Sequence, residues 1–192
     1  MINIHEILYT FAVLFAIIDV TGAIPIVINI KHQGMTIKPF QIALTSFAVL
    51  AVFLIGGEQL LSAAKIDIHG FALAGAIILL VYALEMTLGV HIMNNKDCPK
   101  GASAVIPLVF PLIAGAGAMT SVIAMRTEYA MINILIAIFL NMVVVFFVLK
   151  YIDKLEKIIG PQAIYVITKV LGIVLLATAS RMFVENLKAL TM

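Results

Sequence analysis

The 192 residues are 64% hydrophobic and 11% charged, with a net charge of +2 and a mean hydropathy of +1.18. Soluble domains carry about 25% charged residues, so this composition excludes an ordinary water-soluble domain and points to a membrane protein. No dense Lys/Arg block occurs, which leaves a nucleic-acid partner without support. The single cysteine, Cys98, excludes an intrachain disulfide or a CxxC site.

The opening MINIHEILYT has neither the basic n-region nor the small-residue cleavage site of a secretory signal peptide, so the first apolar stretch is expected to remain as a spanning segment. A helix needs about 20 apolar residues to cross the hydrocarbon layer, and six segments qualify: roughly 6–28, 41–62, 68–89, 104–125, 130–150 and 164–187. Short polar breaks separate them: KHQGMTIKP, AKIDIH, HIMNNKDCPKG, RTEY and KYIDKLEKIIGPQ. The runs are continuous rather than alternating, which favours helices over a β-barrel. The predicted fold is therefore an all-α, polytopic single membrane domain of six transmembrane helices.

The first segment contains DVTGAIPI at residues 19–26. Pro25 has no N–H to give to the preceding turn, and Gly22 relaxes the backbone beside it. Asp19 lies about 20 Å along this helix at 1.5 Å per residue. It is the most deeply placed carboxylate, and burying it costs at least ~2.5–3.5 kcal/mol on insertion scales. Two readings stay open. Asp19 binds a substrate ammonium or carries a coupling proton, or it caps a second half-helix starting near Thr21.

The second and third segments carry Glu58 and Glu85 near their ends, where snorkelling or capping suits them. The fourth, PLVFPLIAGAGAMTS (Pro107–Ser121), is interrupted as the first is, by Pro111, Gly115 and Gly117. Half-helices resuming near Ala23 and Ala118 would point positive dipole ends and N–H groups at an anionic group, with the hydroxyls of Thr21, Thr120 and Ser121 at the same depth. In the fifth segment, Asn133 and Asn141 are eight apart near one face and suit bonds to a neighbouring helix. In the sixth, Arg181 is placed either to snorkel outward or to pair with a carboxylate.

Each broken segment begins a three-helix unit. A unit with an odd number of spans must be followed by an inverted copy, so two inverted repeats are expected, about 1–92 and about 102–192. ALAGAIILLVYALEM and KVLGIVLLATASRMF align at an offset of 97, with Gly75 on Gly172 and Leu79 on Leu176. Lys31, Lys38, Lys96, Lys100, Lys150, Lys154 and Lys157 occupy the odd loops, against Lys65, Arg126 and Lys188 on the other side. That bias places the odd loops in the cytoplasm and both termini outside.

No nucleophile–base pair or HExxH-type spacing occurs, GAG at 115–117 lacks the rest of a dinucleotide fingerprint, and His5, His32, His69 and His91 are scattered. An enzyme is therefore not expected, nor a metal or cofactor. Broken helices set opposite one another suit a secondary transporter with a site at the repeat interface. A channel-like pore for small solutes or ions is the alternative.

At the two interrupted motifs the chain resembles the MarC-type family of six-helix bacterial inner-membrane proteins, grouped with neutral amino acid transporters of the NAAT type. The family pattern D-P-x-G-x-x-P is matched by Asp19, Gly22 and Pro25. The pattern P-L-x-x-G-P-G-A-I is matched by Pro111, Leu112, Gly115, Gly117 and Ala118. GGEQLLSAAKIDIHGFALAGAIILL and VITKVLGIVLLATAS are similar too, so the likeness covers essentially the whole chain. Val20 and Ala116 stand where the family has prolines, and Arg181 where it usually has glutamine. The resemblance implies transport of small neutral amino acids or related metabolites, with H+ or Na+ as the coupling ion to be tested. Together with the hydroxyls at the depth of the breaks, it draws the expected binding site from Asp19, Thr21, Gly22, Pro25, Pro111, Gly115, Gly117, Thr120 and Ser121.

Overall fold

A computed structural model describes residues 2–32, 34–89, 105 and 108–191. Pro107 and the loop bearing His91, Lys96, Cys98 and Lys100 lie outside the described residues. Among the described residues every regular element is a helix. The first predicted span is divided into α1 (Ile4–Ile18) and α2 (Val20–His32). Helices α3 (Pro39–Ala63) and α4 (Ile68–Leu88) follow. A wide turn at Leu108–Ile113 leads into α5 (Ala116–Met125), and both lie in the fourth predicted segment. The chain then forms α6 (Met131–Lys150), α7 (Ile152–Ile159) and α8 (Pro161–Thr191).

Local chemistry sets these boundaries. The Asn3 side chain accepts from the His5 N–H at 3.0 Å, and the Asp67 carboxylate from the His69 and Gly70 N–H groups at 2.8 and 3.3 Å. Pro39 occupies the first turn of α3, where its missing N–H costs nothing. α3, α4, α6 and Gln162–Thr191 of α8 run to 20–30 residues, long and apolar enough to cross a membrane. Their outward side chains are large and apolar, including Leu44, Val52, Ile77, Phe139 and Ile173, as lipid contact requires.

The core forms around α6, whose buried face runs through Asn133, Ile134, Ala137, Ile138, Asn141, Met142, Val145 and Leu149 at helical spacing. Against it lie α1 and α3. The register shows that α1 and α6 run parallel: the Asn133 amide donates to Glu6 Oε2 at 2.7 Å, and eight residues on the Asn141 amide donates to the Phe11 carbonyl at 3.3 Å. The two asparagines thus bond a neighbouring helix as their spacing predicts. The most extensive pairing is α4 with α8. These run antiparallel, with His69 Nδ1 3.1 Å from Asn186 Oδ1 at one end and Lys169 Nζ donating to the Thr87 carbonyl at 2.9 Å near the other. Lys169 therefore closes the C-terminal end of α4, a role its sequence position does not reveal.

Polar side chains in the core differ in how well they are satisfied. Thr10 Oγ1, Ser46 Oγ and Asn141 Oδ1 are buried without a hydrogen-bond partner among the described residues. Replacing a side chain that is only half satisfied loses little, so Asn141→Leu is expected to stay within about 1 kcal/mol of the parent in stability. Asn133→Leu removes the bonds to both Glu6 and the Asn3 N–H and should be the more destabilised of the two. Thermal unfolding in detergent checks the order; equal losses would contradict it.

Two features depart from the expected pattern. KYIDKLEKIIGPQ, read as a polar break, contains α7. Ile152 is buried, Leu155 is half-buried, and Asp153, Lys154 and Lys157 are exposed, an amphipathic pattern too short to register as a span. Two of its acids hold the end of α2: Lys31 pairs with Asp153 and with Glu156, the latter at 3.2 Å. Hydrogen bonding to Asp153, reinforced by Glu156, raises the Lys31 ammonium above its ordinary pKa against the opposing effect of burial. The second departure is a kink in α3 at Gly56 (φ −138°, ψ 20°), in a segment read as an uninterrupted span.

Candidate functional site

The first break falls on Asp19 itself. Its backbone is left-handed (φ 43°, ψ 59°), a region L-residues avoid at a cost of roughly 1–2 kcal/mol, though aspartate is among the residues that tolerate it best. The hydrogen-bond ladder nevertheless passes through this residue. Its N–H donates to the Phe15 carbonyl at 3.2 Å, and its own carbonyl accepts from Ala23 at 3.1 Å. The second half-helix resumes at Val20, three residues before the expected Ala23. A reversal of φ at one residue, rather than the missing N–H of Pro25, is what divides the helix. The backbone of Asp19 thus ends α1 as its C-cap, and the following half-helix begins at Val20 rather than near Thr21.

Pro25 lies within α2, where its ring leaves the Thr21 carbonyl without an N–H four residues on. Thr21, Gly22, Pro25 and Pro111 are described by their backbone alone. Asp19 is half-buried and engaged with neighbouring groups.

The second break is wider. Pro111 sits in the Leu108–Ile113 turn, where Phe110 is extended (φ −122°, ψ 125°) and the Ala114 N–H reaches back five residues to the Val109 carbonyl at 2.8 Å. α5 then begins at Ala116, two residues before the expected Ala118, with Gly115 as its N-cap. Gly115 has no side chain to cap this end, so the first N–H groups of α5 keep their positive character. Thr120 Oγ1 donates back to the Gly117 carbonyl at 3.1 Å, leaving its lone pairs as acceptors. Ser121 is half-buried one position further on.

The two interrupted segments touch beside their breaks. A Cβ built on Gly117 would lie 3.6 Å from Ile17 Cγ2, two residues before Asp19, and 3.7 Å from Met182 of α8. The opposite side of this junction is tighter: a Cβ on Gly75 of α4 would lie 2.4 Å from that of Ala116. Buried Ala72 and Ala76, on the face of α4 that carries Gly75, and buried Ala116 keep the same crossing thin. Gly172, which aligns with Gly75 in sequence, packs instead on Met86 and Thr87 of α4. Arg181, the residue that departs from the family pattern, pairs with Glu185 at 2.7 Å on an exposed face and takes no part in the junction.

The sequence pattern of the MarC family, described as integral membrane proteins, matches residues 4–191. The chain belongs to the MarC family. Among curated relatives, this MarC chain is 30% identical to a UPF0056 membrane protein of Buchnera aphidicola subsp. Schizaphis graminum, covering 87% of this chain and 84% of the relative. It is also 30% identical to one of Pyrococcus abyssi, over 95% and 96% of the two chains. The UPF0056 inner membrane protein YhgN of Escherichia coli K12 is 25% identical over 96% and 97%. No solved structure matches the MarC chain.

Proposed function

We propose that this protein is a secondary transporter of small neutral amino acids or related small metabolites. It works by alternating access between two inverted three-helix halves, about 1–92 and about 102–192. The observation that carries this reading is the approach of the two interrupted segments beside their breaks, at Ile17 and Gly117. Interrupted helices in lipid leave backbone groups that must be buried or wetted, and two that meet define the place where a solute can be held.

The pairing of helices supports the inverted halves. α1 packs on α6, and α3 packs in the corresponding way on α5 and its preceding turn. The contact of α2 with α8 is likewise matched by that of α4 with α5 and the same turn. The open N-terminus of α5 suits a substrate carboxylate, and the Asp19 carboxylate suits an ammonium or a coupling proton. In this reading Thr21, Gly22, Pro25, Pro111, Gly115, Gly117, Thr120 and Ser121 line or shape the site. The relative YhgN, an inner membrane protein, supports an inner-membrane location. The lysine bias puts the odd loops inside, and the bond of Lys31 to Asp153 agrees, since it joins the first such loop region to the third.

The test is uptake and efflux of alanine, glycine, serine and threonine in proteoliposomes, with pH and Na+ gradients applied separately. Saturable flux driven by one gradient supports the transporter. Conductance without saturation would favour a channel, and no flux of any of the four would overturn the substrate class.

A further inference from the structure

Where α3 kinks at Gly56, the neighbouring carbonyls of Leu54 and Ile55 both accept from Arg126 Nη1, at 3.2 and 2.6 Å. Arg126 is the residue that ends α5, so the guanidinium is fixed by one nitrogen against the kink. Its Nε and Nη2 make no hydrogen bond among the described residues. Beside it opens a cavity of about 230 Å³ lined by Phe53, Leu54, Glu58, Ile123, Arg126 and Thr127. Gly57 lets two of these lining side chains pack closely, since a Cβ there would come within 2.7 Å of Ile123 Cδ1 and 3.3 Å of Phe53 Cδ1.

A carboxylate and a guanidinium therefore share one small cavity without pairing. Among the described residues the ion pairs are Lys31 with Asp153 and Glu156, and Arg181 with Glu185, while Glu58 has none. Two opposite charges on one cavity wall that do not pair, alongside apolar Phe53, Leu54 and Ile123, suit a ligand that carries both charges on a short frame. The Nε and Nη2 groups of a guanidinium are parallel donors that match a carboxylate, and a carboxylate such as that of Glu58 accepts from an ammonium. The volume is below the ~300–1,000 Å³ of pockets for drug-sized ligands, which restricts the occupant to a small molecule.

We propose that this cavity binds a small zwitterionic α-amino acid, its carboxylate on Arg126 and its ammonium on Glu58, as a docking site at the far end of α5 from the helix breaks. Its service as a waiting position for transport rests on the transporter reading; the binding itself does not.

The experiment places a single thiol at the cavity, Thr127→Cys in a Cys98→Ser background, and follows its modification by a membrane-impermeant maleimide. L-Alanine should slow labelling at least about threefold. Alaninamide and N-acetylalanine, each lacking one charge, should not slow it. Adding Glu58→Gln should abolish the protection. Labelling indifferent to L-alanine, or equal protection by alaninamide, overturns the proposal. If Thr127→Cys does not fold, calorimetric titration of the parent and Glu58→Gln with L-alanine decides, and unchanged binding in Glu58→Gln overturns it. Protection without any alanine flux would sink the transporter reading alone, whereas flux without protection would sink this site alone.

Discussion

Proteoliposomes containing Asp19→Asn are expected to lose L-alanine flux by about tenfold or more, equivalent to roughly 1.4 kcal/mol on the rate-limiting barrier, while the protein unfolds close to the parent temperature. The left-handed backbone of this residue and its charge can be altered separately. Its backbone is left-handed, a conformation that asparagine adopts nearly as readily as aspartate, so Asp19→Asn keeps the break and removes only the charge. Asp19→Gly keeps the break with less strain and also loses the carboxylate, so it should fold well and transport poorly. Asp19→Val makes the opposite test. A β-branched residue at φ 43° is strained by about 1–2 kcal/mol or more, and its unfolding temperature should fall. Full, pH-insensitive flux through Asp19→Asn would remove the carboxylate from both binding and coupling.

The second large effect is expected at Gly75. Any side chain there points at Ala116, the first residue of α5, with 2.4 Å between the two Cβ positions. No flexible side chain lies between them to move aside, so the helices themselves must separate. Overpacking of this kind costs about 1–3 kcal/mol for a small addition, the range expected for Gly75→Ala. Gly75→Leu should prevent recovery of folded protein from detergent extracts. Gly70→Ala is the control: a Cβ at this position in the first turn of α4 meets nothing within 4 Å. It should be neutral or slightly stabilising, by up to about 1 kcal/mol through helix propensity. Equal tolerance of alanine at residues 70 and 75 would show that α4 and α5 do not cross as described.

Much of this architecture is legible in sequence because lipid imposes a coarse and reliable rule. Long apolar runs ending at Asn3, Pro39, Asp67 or Gly89 mark helices whatever they pack against. The interruptions at Asp19 and Gly115 are also visible, since charge, glycine and proline are conspicuous among aliphatic residues. Their register is not. Proline draws attention to residue 25, yet the turn is made six residues earlier by a φ reversal that no residue type announces. The kink at Gly56 had a signal in the Gly56–Gly57 pair, but such pairs also occur in straight helices at close crossings. Arg126 looked like a loop charge because its acceptors, the carbonyls of Leu54 and Ile55, lie about seventy residues away in sequence. α7 escaped because two turns of helix give too few positions for a period to stand out.

The ion pairs of Lys31 acquire a mechanical meaning from the length of α2. Thirteen residues separate the hinge at Asp19 from the far end of that helix, a lever of about 20 Å at 1.5 Å per residue. Rotating it by about 10° would sweep its tip by about 3–4 Å, enough to part Lys31 from Asp153 and Glu156 on α7. If transport swings α2, the amphipathic helix would anchor that arm, and the strength of the tether would set how far α2 could move before the ion pairs part.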